Sequence, residues 1–222
     1  MATGVIVFDV NETLLDLRPL DPLFDAFFGD PSLRGQWFAQ MLQVAFVGAI
    51  TDRYVDFTSA QRAALDMVAQ RNAVALPPGS ADRVAATMRT LPAHPEVLDA
   101  LSRLRAGGHQ LAALSNSPHD VEQAQLAHAG LTDCFDAILS ADSVHALKPR
   151  REPYELAART FAVPISEMTL VAAHAWDVAG ALAAGCRTAF VARPGMPHNP
   201  IDPKPDLIGA DLGEIADRIL AA

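Results

Sequence analysis

Four short tracts carry residues able to do chemistry together. Asp9 lies in FDVNETLLD, Ser115 and Asn116 in LAALSNSP, Lys148 in ALKPRREPY, and Asp177 in LVAAHAWD. Each alone would pass for a helix cap or a turn residue. Together they supply an anion, a cation, a second anion and neutral hydrogen-bonding groups, which are the contents of a polar pocket. A cation next to a carboxylate lowers its pKa and keeps it ionised. An ionised carboxylate is in turn a competent covalent nucleophile.

Such residues need a scaffold that gathers distant parts of the chain at one edge. Residues 5–8 form a short continuous apolar run, as expected of a central parallel strand buried on both faces. Similar runs recur at 111–114, 137–139, 170–173 and 188–191, with a last short strand near 206–208. Helical patterns fall between them at 95–105, 118–129, 152–161 and 178–184, and a closing amphipathic helix spans 212–220. This alternation predicts a doubly wound α/β fold, in which ligands gather at the carboxyl ends of the strands. All four polar tracts fall at such ends. Residues 16–90 break the rhythm. Phe38, Met41, Leu42, Ala45 and Phe46, then Tyr54, Phe57, Ala64, Leu65 and Val68, repeat at helical spacing with no strand between. Pro77-Pro78-Gly79 marks a turn and Leu91-Pro92 a hinge. The expected organisation is a Rossmann-like core from residues 1–15 and 91–222, interrupted by a helical cap at 16–90.

Composition narrows the partners. Of 222 residues half are hydrophobic, enough for a buried core, and the net charge is −9. That balance weighs against nucleic acid, whose phosphates need a basic surface. It leaves room for a small anionic substrate, because one local cation outweighs a diffuse negative field at contact distance. Lys148 and Lys204 are the only lysines. Cys134 and Cys186 match no metal or redox spacing and read as small buried hydrophobes in a reducing compartment. His94, His109, His119, His128, His145 and His198 show no metal-ligand spacing and read as surface or loop residues. The N-terminal MATGVIVFDV has no basic leader, and no apolar run reaches the roughly 20 residues that span a bilayer. No membrane association and a cytoplasmic location are expected.

The order of the tracts is itself informative. An apolar strand ending in DxxxTLxD, then SN, then KPxxxxY, then an acidic turn before a small-residue helix resembles the haloacid dehalogenase (HAD) superfamily. SNSPHDVEQAQLAHAGL, KPRREPYELA, AHAWDVAGA and, in the insert, RYVDF are similar to segments of the (S)-2-haloacid dehalogenases. The resemblance covers essentially the whole chain. It implies an aspartyl-ester mechanism with Asp9 as nucleophile, Asp177 next to the hydrolytic water, and Lys148 holding both carboxylates together and ionised. It also implies that Thr13 and Asn116 orient Asp9 or the departing halide, that Ser115 binds the substrate carboxylate, and that the protein is a homodimer. Tyr154 either supports this site or is a core tyrosine. Trp176 reads as pocket wall.

The residues also discriminate within the superfamily. Its phosphatases carry a second aspartate two positions after the nucleophile, to protonate an alkoxide leaving group. Here that position is Asn11. They also hold magnesium with an aspartate near the fourth strand end, where this chain has Val171-Ala172-Ala173. Halide leaves without protonation, and a carboxylate substrate needs no metal bridge, so a metal-independent dehalogenase without cofactor is the expectation. A phosphatase or a non-catalytic binding relative is the alternative. Two departures from the dehalogenase pattern stand out. Phe38 follows Trp37 where the family has an arginine, which predicts weak turnover of standard haloacids unless Arg34 or Arg53 fills the gap, and predicts a gain from Phe38→Arg. Ala172 and His174 replace a serine and an asparagine that position water. His174 then either binds water, acts as a base, or is a packed histidine.

Overall fold

A computed structural model describes residues 4–221; the first three residues of the N-terminal stretch lie outside the described residues. Six parallel strands form one sheet: β1 (Val5–Phe8), β2 (Gln110–Ser115), β3 (Ala137–Ser140), β4 (Met168–Ala172), β5 (Arg187–Val191) and β6 (Leu207–Gly209). Their spatial order is β3-β2-β1-β4-β5-β6. The chain therefore winds outward from β1 to β3, then returns to the other side of β1 and continues to β6. The reversal leaves a crevice at the carboxyl ends of β1 and β4, where ligands bind in open α/β sheets. Register sharpens the placement, since Phe8 pairs with Ala113 on one side and with Val171 on the other. The residues that follow each of these three strands emerge at one level.

The alternation of β1 explains how the sheet is covered. Ile6 and Phe8 point into one apolar cluster, Val5 and Val7 into another. The second cluster is closed by α7 (Arg151–Phe161) and α8 (Ala175–Ala184), the first by α5 (Val97–Ala106) and α9 (Leu212–Leu220). α6 (His119–His128) follows β2.

Between β1 and α5 the chain forms α1 (Asp21–Phe28), α2 (Leu33–Ile50), α3 (Phe57–Arg71) and α4 (Ser80–Met88). Gly29, at φ 69°, ends α1, and Gly79, at φ 78°, opens α4 after the two prolines, both in left-handed backbone that glycine takes freely. Asp56 caps α3 by accepting from the Ser59 N–H at 2.9 Å. Tyr54 lies in the turn between α2 and α3 and not in the helix its spacing suggested. These helices share an apolar cluster with the sheet: Phe24, Trp37, Met41 and Leu65 pack in one continuous body with Phe8, Leu104 and Leu111. None of the helices among the described residues is long and apolar enough to cross a membrane.

Candidate active site

Asp9 is the first residue beyond β1 and its N–H donates to the carbonyl of Val171 at 3.0 Å, so the strand pairing itself fixes its backbone. The chain then folds back on itself. Leu14 and Leu15 donate to the Val10 carbonyl, and this tight loop returns Thr13 to Asp9, with its hydroxyl 2.6 Å from Oδ2. The Thr13 oxygen in turn accepts from the N–H of Ala173 at 2.9 Å. Two strand ends are thus tied together through one side chain.

Lys148 comes from the loop before α7 and is fully buried. Its ammonium donates to Asp9 Oδ1 at 2.9 Å, to Asp177 Oδ2 at 2.7 Å and to the Leu114 carbonyl at 2.7 Å. The three donors of an ammonium are thereby matched to three acceptors from β1, β2 and α8. Burial opposes ionisation of Asp9, but the Lys148 charge, His174 and the Thr13 hydroxyl outweigh it and hold this carboxyl well below the usual range. Asp177 behaves differently. Burial and the neighbouring Asp9 charge push it up despite Lys148 and the Tyr154 hydroxyl, which donates to Oδ1 at 2.6 Å. Lys148 thus bridges the two carboxylates, and their surroundings push them in opposite directions, Asp9 down and Asp177 up.

Asn116 does not reach Asp9. Its amide pairs with the backbone of Lys148, accepting from the N–H at 2.8 Å and donating to the carbonyl at 3.0 Å. It positions the lysine loop. These bonds do not include one to the Asp9 carboxylate, and of the two roles the resemblance implies they leave the one beside the departing halide open. Ser115 is buried at the end of β2, and its Oγ accepts from the Ser117 N–H at 3.0 Å. Asn11 accepts from Gln125 at 3.0 Å and faces Ser117 at 3.4 Å, so its amide is engaged on the α6 side of the loop.

A family model, the haloacid dehalogenase-like hydrolases, matches residues 3–185. The chain belongs to that family. An (S)-2-haloacid dehalogenase of Pseudomonas sp. (strain YL) is 31% identical over 204 residues, covering 90% of this chain and 88% of that protein. The (S)-2-haloacid dehalogenase of Xanthobacter autotrophicus is 33% identical over 193 residues, covering 85% of this chain and 74% of that protein. Among solved structures, the L-2-haloacid dehalogenase of Xanthobacter autotrophicus with chloropropionic acid covalently bound superposes with a TM-score of 0.90. It is 26% identical and covers 98% of each chain.

Within this haloacid dehalogenase-like hydrolase the two departures from the dehalogenase pattern touch each other. The Phe38 ring stacks on the imidazole of His174, with centroids 5.6 Å apart and planes 12° from parallel, and Trp176 covers the opposite face at 5.1 Å. Neither candidate guanidinium fills the place of the missing arginine. Arg34 is bound to Asp21 and Glu12, and Arg53 is exposed. Phe38, His174 and Trp176 line a cleft of about 350 Å³, together with Glu12, Leu42 and Met196. Two residues escaped the sequence reading. Glu12 bonds His174, and the only signal for it was its place inside the DxxxT loop. Glu122, on α6, is completely buried next to Ser115, and burial pushes its carboxyl well above the ordinary range. Its position inside the helical pattern at 118–129 gave no hint of it.

Proposed function

We propose that this protein hydrolyses the carbon–halogen bond of small 2-haloacids through an ester of Asp9. The observation that carries the reading is the ammonium of Lys148 bridging Asp9 and Asp177 in a buried site. Asp9 attacks the halogen-bearing carbon in line and expels halide, inverting that centre. Water next to Asp177 then attacks the ester carbonyl and releases the 2-hydroxy acid. Asp177, pushed up by burial, takes the water proton, while Tyr154 and Lys148 hold it in place. Ser115 binds the substrate carboxylate, and Trp176 and Phe38 form the apolar wall of the pocket. Residues 16–90 act as the cap over the strand ends. The setting is cytoplasmic, in keeping with two free, buried cysteines, and the active form is a homodimer.

The residues do not suit a divalent metal. The oxygens of Asp9 and Asp177 that face each other are already bridged by an ammonium, and Ala173 offers no ligand at the strand end. The reaction is therefore metal-independent.

The test is halide release from a panel that includes fluoroacetate and both 2-chloropropionate enantiomers, in the presence of a chelator. Stoichiometric halide is expected, and a single turnover in heavy-oxygen water should label Asp9 and not the product. Asp9→Asn should abolish turnover while remaining folded. Label appearing first in the hydroxy acid would mean direct attack by water. A strict magnesium requirement with activity on phosphate esters would replace the dehalogenase reading altogether.

A further inference from the structure

His174 sits between two carboxylates. Its Nδ1 is 3.0 Å from Asp9 Oδ2 and its Nε2 is 3.0 Å from Glu12 Oε2. An imidazole bonded at both nitrogens to carboxylates donates from both, which is the imidazolium form. The ring is gripped between Phe38 and Trp176. Glu12 is fixed in turn by Arg34 at 3.5 Å. Its backbone has φ 60°, left-handed geometry that costs an L residue about 1–3 kcal/mol and persists where the surroundings demand it. From this backbone the Glu12 carboxylate reaches His174.

The two oxygens of Asp9 differ in consequence. Among the described residues Oδ2 accepts from Thr13 and from His174, whereas Oδ1 accepts from Lys148 alone. A carboxylate oxygen has two lone-pair sites, so Oδ1 is the one free to attack. We propose that His174, held as an imidazolium by Glu12, joins Thr13 in an oxyanion hole on Asp9 Oδ2 that drives hydrolysis of the aspartyl ester. This rests on the dehalogenase reading and adds to it a catalytic residue, His174, and a positioning residue, Glu12.

The atoms balance. Attack through Oδ1 leaves Oδ2 as the ester carbonyl. Water adds to Cγ, giving one proton to Asp177, and the negative charge moves onto Oδ2, where the two donors already point. Collapse breaks Cγ–Oδ1, and the departing alkoxide takes the proton back from Asp177. The second water proton leaves the regenerated carboxyl, so each turnover releases one proton and one halide. In the resting enzyme the two donors already stand 2.6 and 3.0 Å from Oδ2, the atom on which the charge develops. The imidazolium also supplies positive charge where Phe38 has displaced a guanidinium.

Charged groups meet His174 at its two ring nitrogens, Asp9 from the end of β1 and Glu12 from the loop, with Arg34 of α2 behind Glu12. Lys148 and Asp177 lie behind Asp9, while His94 and Arg193 meet the carbonyls of Glu12 and Thr13. Burial disfavours the charged ring, but the hydrogen bonds and charges of Asp9 and Glu12 overcome it and raise His174 to about 9. In the free enzyme the ring is therefore charged at neutral pH and loses its proton as pH rises through that value. Esterification removes the Asp9 charge and leaves Glu12 to hold the proton, so the basic limb of kcat should lie below the midpoint of the ring in the free enzyme.

His174→Leu and Glu12→Gln test the assignment, with Glu12→Asp as the conservative rescue. In His174→Leu the ester should still form, while its hydrolysis slows about 10²–10³-fold, so that rapid denaturation and intact-mass measurement catch the acylated chain. Glu12→Gln should move the basic limb of kcat to lower pH, and Glu12→Asp should move it back. NMR titration of the ring reads the same pair without substrate, with an expected midpoint near 9. Titration in the ordinary histidine range overturns the inference whatever the kinetics show. So does a wild type that turns over while His174→Leu slows halide release without accumulating ester, or leaves hydrolysis unchanged. A wild type whose ring titrates near 9 but which forms neither ester nor halide overturns the dehalogenase reading itself.

Discussion

A carboxylate moved into a dry pocket tends to take up a proton, and Asp9 escapes that fate only because its partners are cationic. Lys148 was legible as one of them from its place in the KPxxxxY tract, since a lone lysine beside a strand end has few other uses. The second, His174, was legible as a residue but not as a charge, because the sequence does not reveal that Glu12 turns inward. This alters what Phe38 means. A guanidinium restored by Phe38→Arg would lie against the imidazolium face that the phenyl ring now stacks on, so two like charges would meet in a buried site. The gain expected from the sequence alone should therefore be absent in the single variant and appear in Phe38→Arg/His174→Asn. A double-mutant cycle on kcat/KM for 2-chloropropionate should show a coupling of about 0.5–3 kcal/mol, the range for contacting residues. Additive effects would mean that the ring carries no charge, or that the new side chain points elsewhere.

Elements deliver these residues with a precision the pattern only partly foretold. The cores of β1, β2, β4 and β5 were legible, because buried parallel strands read as continuous apolar runs. The start of α8 was not. The helix begins at Ala175 and not near 178, so Asp177 lies in its first turn and not in a loop. The aromatic Trp176 obscured the apolar periodicity there. This early start brings the helix against the Lys148 loop at Gly180. A Cβ at Gly180 would stand 2.5 Å from Pro149 Cβ and 2.7 Å from the Tyr154 hydroxyl, closer than real carbon contacts allow. Since Tyr154 bonds Asp177 and Pro149 follows Lys148, Gly180→Ala should push apart the groups that hold the acid–lysine bridge. Overpacking of this kind typically costs about 1–3 kcal/mol. The variant should melt lower and lose kcat beyond what its lower stability explains at temperatures where it is fully folded. Unchanged kcat would show that α8 can slide away from the lysine loop without cost to the site.

At the scale of the molecule, the break in alternation at residues 16–90 was visible in the sequence as a change of period, from buried strands to helical spacing. How the inserted helices attach was not visible, because apolar residues at helical spacing do not name the surface they will meet. In the fold they share one apolar body with the sheet. Trp37, fully buried on α2, packs in the cluster that contains Phe8 of β1 and Leu104 of α5. An insert with its own core could unfold alone, whereas one whose core is shared with the sheet loses that shared part when the sheet opens. Insert and core should therefore unfold in a single transition. The chain offers a direct probe, since Trp37 and Trp176 are its only tryptophans. In a Trp176→Phe background, fluorescence reports the insert through Trp37 alone, while far-ultraviolet circular dichroism reports the whole fold. The two denaturation curves should coincide. Val84→Ala, on the buried face of α4, leaves the fluorophore in place and should lower both midpoints together. A fluorescence transition well below the dichroism midpoint, or a Val84→Ala shift confined to one probe, would mean that the helices over the strand ends open independently of the sheet.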